Sequence, residues 1–354
     1  MRIAHLIWSL GVGGAQTLLT DIVNIQIKEG HEVGIFVIDS FVDDSIKNKI
    51  DHKVQIFYME RIRGNKSLLP FIHLNWTLWK YKPDIIHSHS GKIGKAIFSS
   101  IPKVVTIHNM TSSPHVCKGY KATYAISQSV KDDWSRKGFD VTAVIENGVS
   151  CDSIKQKKNW NQEDTIHVVV LSRIRFSPKR QDLVILALNK IISKNNHILS
   201  KENIKNCIVH FIGDGEDVEQ LMTMVRDNGL ENNVVFEGLR DRDWVYKHLC
   251  DFDLFLQPSD YEGFGLTVAE ACAAKLPVLV SNVDGPLEII DGGRLGMVFK
   301  KGDADDLAQQ LETFIKGGYD YTLIEKAYLR TKQRYSIEKT VHQYLNEYRK
   351  VLRK

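Results

Sequence analysis

From the first residue onward, short β-branched runs alternate with stretches of helical period, and a chain patterned this way winds into parallel sheets covered by helices. IAHLIW (3–8) reads as the first strand. The segment 15–30 then reads as an amphipathic helix, with Leu18, Leu19, Ile22 and Val23 on one face and Gly30 as its stop. VGIFVI, VQIFYM, DIIHSH, KVVTIH, ATYAIS and TAVIEN follow as strand candidates. At 151–164 the pattern breaks into a polar, aperiodic stretch, CDSIKQKKNWNQED. A second series then begins with IHVVVL and continues through CIVHFIG, VVFEG, FDLFLQP and PVLVS, with helices starting near Arg180, Glu216, Asp241, Gly265 and Ala304. The expected class is α/β, with two doubly wound Rossmann-like domains facing a cleft. Their expected bounds are 1–158 and 159–335, with a C-terminal helix over 336–354 returning to the first domain. A chain of 354 residues, 43% apolar and 25% charged, is long enough for two cores.

Open α/β sheets bind ligands at the carboxyl ends of their strands, so the loops there carry the chemistry. SLGVGGAQ joins the first strand to the first helix, and Gly13 and Gly14 let backbone N–H groups approach an anion at the positive helix end. A tight turn is the other reading. The loop is not a dinucleotide fingerprint, because G-x-G-x-x-G read from Gly11 needs glycine where Gln16 stands. LSRIRFSPKRQDL puts Arg173 and Lys179 six residues apart at the next domain's first strand end, a planar fork and a point charge suited to a diphosphate. Arg175 and Arg180 suit a solvated role better. In PSDYEGFGLTVAEA, Glu262 and Glu270 are eight residues apart, and acids beside a phosphate site are tolerable when they accept from neutral sugar hydroxyls. Gly263, Phe264, Gly265 and Leu266 would aim helix-start N–H groups at the leaving phosphate.

Other classes are disfavoured. Five cysteines stand apart with no CxxC pair, so neither a zinc knuckle nor a disulfide framework is expected. The pairs Asp241/Asp243, Asp251/Asp253 and Asp303/Asp305 fall at helix or strand starts, where caps are expected rather than a metal. A net charge of +4 does not call for nucleic acid. The N-terminal apolar stretch is too short to span a bilayer and is broken by Gly11, Gly13 and Gly14, so a cytoplasmic protein is expected.

The ordered set GGAQ, DIIHSHS, VVTIHN, AISQSV, IENGVS, SRIRFSPKRQDL, FIGDGED, VVFEG and E-x7-E resembles glycosyltransferase family 4, of the retaining GT-B type, over nearly the whole chain. The resemblance implies that Arg173 and Lys179 hold a diphosphate, Glu270 the ribose and Glu262 the transferred sugar. It also implies that His108 of VVTIHN stands at the active site. The implied activity is metal-independent transfer of a hexose or N-acetylhexosamine from a UDP-sugar to a glycan or lipid-linked acceptor, as in lipopolysaccharide or capsule synthesis. The nucleotide sugar is a co-substrate, and no cofactor is implied. Two departures are Ser172-Arg173-Ile174 where relatives have G-R-L, and DGPLE (284–288) where they have G-G-x-P-E, which weakens the assignment of Glu288 and the loop around Gly285. A UDP-sugar 2-epimerase of the same fold is the alternative, and a sugar-nucleotide sensor is opposed by the full set of charged residues.

One segment lies outside this scheme. Arg61, Arg63, Lys66, Lys80 and Lys82, without an acid between them, are interleaved with Leu68, Leu69, Phe71, Trp76 and Trp79. An interfacial helix at the cytoplasmic face of the membrane is one reading, and a basic surface helix whose tryptophans pack on the first sheet is the other.

Overall fold

The structure is a computed structural model that describes every residue except 63, 65–66, 109–112, 161–164, 198–205 and 354. It divides into two compact units, one of Met1–Ser150 with Tyr335–Lys354 and one of Cys151–Arg334.

Among the described residues, the first unit contains seven parallel strands: β1 (Arg2–Ile7), β2 (Glu32–Asp39), β3 (Gln55–Arg61), β4 (Ile85–Ser88), β5 (Lys103–Ile107), β6 (Ala122–Ala125) and β7 (Ala143–Val144). Their order is β3-β2-β1-β4-β5-β6-β7, the doubly wound arrangement with one strand added at the edge. The strands read as nearly unbroken apolar runs because helices cover both faces of the sheet. Leu18, Leu19, Ile22 and Val23 of the helix Gly14–Lys28 are buried, and so is the polar Gln26 on that face. The C-terminal helix Ile337–Leu352 supplies Val341, Tyr344, Leu345 and Tyr348 to the same core as Ile3, Ile22, Ile85 and Tyr124. Ser336 caps it, its hydroxyl accepting from Lys339 N at 3.4 Å.

The second unit repeats the plan with six described strands: β8 (Thr165–Leu171), β9 (Asn206–Ile212), β10 (Val234–Gly238), β11 (Leu254–Gln257), β12 (Val278–Ser281) and β13 (Met297–Phe299). Their order, β10-β9-β8-β11-β12-β13, is again that of a doubly wound sheet. The polar stretch after Ser150 is not a free tether: Lys155 N bonds Tyr246 O, Lys157 N bonds Ala274 O, and Lys157 Nζ pairs with Asp253 at 3.0 Å. The division therefore falls at Ser150, eight residues before the expected bound, because polar composition does not report backbone pairing.

The segment with the tryptophans is the helix Leu69–Tyr81, which buries Leu74, Thr77, Leu78 and Tyr81. Its opposite face exposes Leu69, Ile72, Trp76 and Trp79 at 71, 62, 51 and 69%. The alternative in which these tryptophans pack on the sheet is excluded. Lys80 Nζ sits 3.6 Å from the Trp76 ring centre. Arg61 faces inward instead, pairing with Asp39 at 3.0 Å and lying over the Trp8 ring, so it is not a free surface cation. Arg63 and Lys66 lie outside the described residues.

Candidate functional site

In both sheets the strand order reverses beside the first strand, and the crevice beyond that switch point is where such sheets hold ligands. In the second unit the reversal lies between β8 and β11, and the loops that leave those strands contain Arg173, Lys179 and Glu262. The Arg173 loop is set by backbone contacts. Ser172 N bonds Ile212 O, and Ile174 N bonds Asp214 O. A Cβ on Gly213 would stand 2.1 Å from Ser172 O, and one on Gly215 2.0 Å from Ile174 O, so FIGDGED uses glycines to let two strand-end loops touch. Arg173 is exposed and has no ion-pair partner among the described residues, which leaves its guanidinium available.

Lys179 Nζ donates to Glu262 Oε2 at 2.5 Å, with the two side chains 24 and 21% exposed. The buried Gln257, last residue of β11, donates to the same carboxylate oxygen at 3.3 Å, and its own Oε1 has no partner. The neighbouring cations are engaged elsewhere. Arg175 pairs with Glu216, and Arg180 bonds Asp182 and Asp260.

After Glu262 the chain enters the helix Leu266–Ala273 through Gly265, whose φ of 94° is a left-handed value that glycine adopts readily. The helix has no acid in its first turn and no side-chain cap, so its positive end is left for an anion. Phe264 is buried beneath it. Gly285, in the segment that departs from the family pattern and forms the helix Asp284–Ile289, permits a close backbone approach, since a Cβ there would lie 2.6 Å from Glu262 O and 2.8 Å from Phe264 N. Glu270, on the same helix, is 6% exposed and accepts from the Tyr246 hydroxyl at 3.3 Å. Arg242 donates to that hydroxyl at 2.5 Å and lies over the Tyr246 ring. Sequence reasoning misses Gln257, Tyr246 and Arg242: Gln257 reads as part of an apolar strand, and Tyr246 meets Glu270 across 24 positions, which no local motif announces. Leu266 begins the helix and, having an apolar side chain, can offer a ligand only its backbone.

Gly13, Gly14 and His108 belong to the first unit, at the strand ends around its own reversal between β1 and β4. Gly13 is extended, and a Cβ on it would meet Gln16 Oε1 at 2.7 Å. Gly14 opens a helix with no side-chain cap and no acid in its first turn. His108 follows β5, half-buried, and its Nε2 lies 3.4 Å from Nδ1 of the buried His89. His89 Nε2 lies 3.2 Å from His5 Nδ1, and His5 Nε2 lies 2.8 Å from Gln26 Oε1. His87 is bonded through both nitrogens, to Thr106 at 2.7 Å and Tyr348 at 2.5 Å. His5, His87 and His89 bring one nitrogen each within 4.8 Å of the others, but hydrogen bonds already occupy those rings. Burial lowers the pKa of His5 and of His108 to about 4, and burial with mutual repulsion puts His87 and His89 well below the ordinary value. The aspartate pairs serve locally: Asp241 and Asp303 cap helices, Asp253 accepts from His167 N and Lys157, and Asp251 pairs with His248.

Two doubly wound units, with cations, acids and an uncapped helix start at strand ends, define the GT-B class of sugar-transfer proteins. The profile described as Glycosyltransferase Family 4 matches residues 12–153, and that described as Glycosyl transferases group 1 matches 152–334. The chain belongs to glycosyltransferase family 4. It is 29% identical to the sulfoquinovosyl transferase SQD2 of Arabidopsis thaliana over 72% of this chain and 54% of that protein. It is 28% identical to a poly(ribitol-phosphate) alpha-N-acetylglucosaminyltransferase of Staphylococcus aureus over 48% of this chain and 32% of that one. The chain thus spans only about half and about a third of these relatives' lengths. Among solved structures, Anabaena HepE in complex with UDP and glucose superposes with a TM-score of 0.80 at 21% identity, over 98% of this chain and 99% of that one.

The buried imidazoles make stability depend on pH. They are neutral in the folded chain but titrate near 6.5 when unfolded, so between about pH 6.5 and 4 the unfolded chain binds more protons. Stability then falls as pH falls, by up to about 1.4 kcal/mol per pH unit for each imidazole. Calorimetry from pH 7 to 5, above the range of ordinary carboxylates, should show the melting temperature of the first unit dropping; a flat profile would contradict this electrostatic picture.

Proposed function

We propose that this chain is a retaining glycosyltransferase that moves a hexose or N-acetylhexosamine from a UDP-sugar to a glycan or lipid-linked acceptor in cell-surface polysaccharide synthesis. The observation that carries the reading is the Lys179–Glu262 pair, in the loops at the second sheet's reversal, with Glu262 three residues before the glycine-capped helix start. A nucleoside diphosphate leaves with charge developing on its phosphate, and a lysine, an exposed arginine and helix N–H groups are the donors that stabilise such charge. Those cations supply what a divalent metal would otherwise supply, so the proposed transfer is metal-independent. Glu262, already neutralised by Lys179 and held by Gln257, accepts from hydroxyls of the transferred sugar. Glu270, buried on the same helix, accepts from the ribose. With no other nucleophile assigned, the acceptor hydroxyl attacks on the face the phosphate leaves, and catalysis consists of positioning and leaving-group stabilisation. The names of the Arabidopsis and Staphylococcus relatives, both sugar transferases, support this class of reaction over epimerisation.

The exposed row Leu69, Ile72, Trp76 and Trp79 fits attachment to an anionic membrane surface at the cytoplasmic face, where a lipid-linked acceptor would lie. No helix among the described residues is long and apolar enough to cross a membrane, so the proposed attachment is peripheral.

Arg173→Ala and Lys179→Ala should each lower kcat/KM roughly a hundredfold or more with folding intact, as loss of a transition-state charge contact does. Near-normal turnover of either variant with a UDP-sugar that the wild type uses would remove that residue from the diphosphate site. Calorimetric titration with UDP separates the acids: Glu270→Ala should bind UDP more weakly, while Glu262→Ala keeps UDP and loses transfer. Equal losses in both would refute the division of roles. In flotation, the wild type should rise with anionic but not neutral vesicles, and less at high salt as screening shortens the reach of each charge. Trp76→Ser with Trp79→Ser, both at exposed positions, should abolish flotation without unfolding the chain; a wild type that stays at the bottom would reject membrane attachment.

A further inference from the structure

We propose that Gln26, His5 and His89 form a buried relay of hydrogen bonds that holds His108 in the Nε2–H tautomer and leaves its Nδ1 as the acceptor. This rests on the reading of His108 as an active-site residue. The relay runs from Gln26 Oε1 to His5 Nε2 at 2.8 Å, from His5 Nδ1 to His89 Nε2 at 3.2 Å, and from His89 Nδ1 to His108 Nε2 at 3.4 Å. A neutral imidazole has one N–H and one lone pair, so it transmits polarity: if one nitrogen donates, the other must accept.

The end of the chain therefore sets every member. A carbonyl oxygen only accepts, so Gln26 Oε1 requires the proton on His5 Nε2, which leaves His5 Nδ1 to accept from His89 Nε2–H. His89 Nδ1 then accepts from His108 Nε2–H. Turning the Gln26 amide over would reverse all three rings, so the proposal commits to the orientation in which Oε1 faces His5 Nε2. Gln26 Nε2 has no partner within hydrogen-bond distance.

The enclosure keeps the rings neutral. His87 of β4 packs against His5 and His89, and is itself enclosed by Thr106 of β5, Tyr124 of β6, and Tyr344 and Tyr348 of the C-terminal helix. Among the described residues no carboxylate or cation bonds to any ring in the relay. Burial then disfavours the doubly protonated form that would break the alternation of donor and acceptor.

Gln26, His5 and His89 are positioning residues, acting on substrate only through His108. The test is a long-range proton–nitrogen correlation spectrum of the full chain with 15N-labelled histidine at pH 7.5, assigned with single His→Gln variants. His5, His89 and His108 should all show a protonated Nε2 and a bare Nδ1; the opposite tautomer at any of the three overturns the relay. Because the spectrum is read without substrate, the expected tautomers in a protein that transfers no sugar would fault the transferase reading and leave the relay standing. Gln26→Met removes the acceptor at the far end. In that variant His108 should become a mixture of tautomers, and kcat should fall at least about tenfold with the KM for donor unchanged. Mixed tautomers with unchanged kcat would refute the positioning role.

Discussion

The reversal of strand order beside the first strand of each sheet is the constraint on which the rest depends. At β8 and β11 the covering helices run to opposite faces, and the two departing loops are left without a helix between them. Backbone N–H groups and side chains can then converge on a ligand. In this chain the opening is shaped by glycines that meet backbone: Gly213 and Gly215 against the Arg173 loop, and Gly285 against Glu262 and Phe264. Close packing of main chain fixes these loops more firmly than side-chain contacts could, since there is no rotamer through which they can relax.

The two units solve the problem of buried polarity differently. In the second, Lys179, Glu262 and Gln257 form a charged cluster that is only partly shielded, and a cluster of that kind can exchange one internal partner for a ligand. In the first, His5, His87 and His89 are fully buried and kept neutral, with both nitrogens of each ring matched to donors or acceptors. Such a network couples its members, because moving one proton alone leaves a group unsatisfied. The C-terminal helix is part of that specification, since Tyr344 and Tyr348 enclose His87 and are anchored in the first core.

Much of this was legible in the residues. Strand and helix periodicity located both sheets, and LSRIRFSPKRQDL and E-x7-E pointed to loops that the fold does put at a switch point. The tryptophan segment was legible only as two alternatives, because hydrophobic residues three and four apart describe a face without saying what lies against it. Arg61 counted as a surface cation in the sequence, but its strand turns it toward Asp39 and Trp8. His5 and Gln26 carry no signal, being single polar residues inside apolar runs, and His89 stands in DIIHSHS, a family segment that does not say which groups it meets.

By itself the sequence determined the α/β class, the two series of βα units and the residue types available at each strand end, since these follow from local periodicity and from glycine's conformational range. Only tertiary structure decided which of those residues meet. Lys179 finds Glu262 across 83 positions and Tyr348 finds His87 across 261, distances over which no local pattern carries information. Burial and partner choice, which set charge and proton position, are properties of the packed chain, and they exist only once the sheets have closed around these groups.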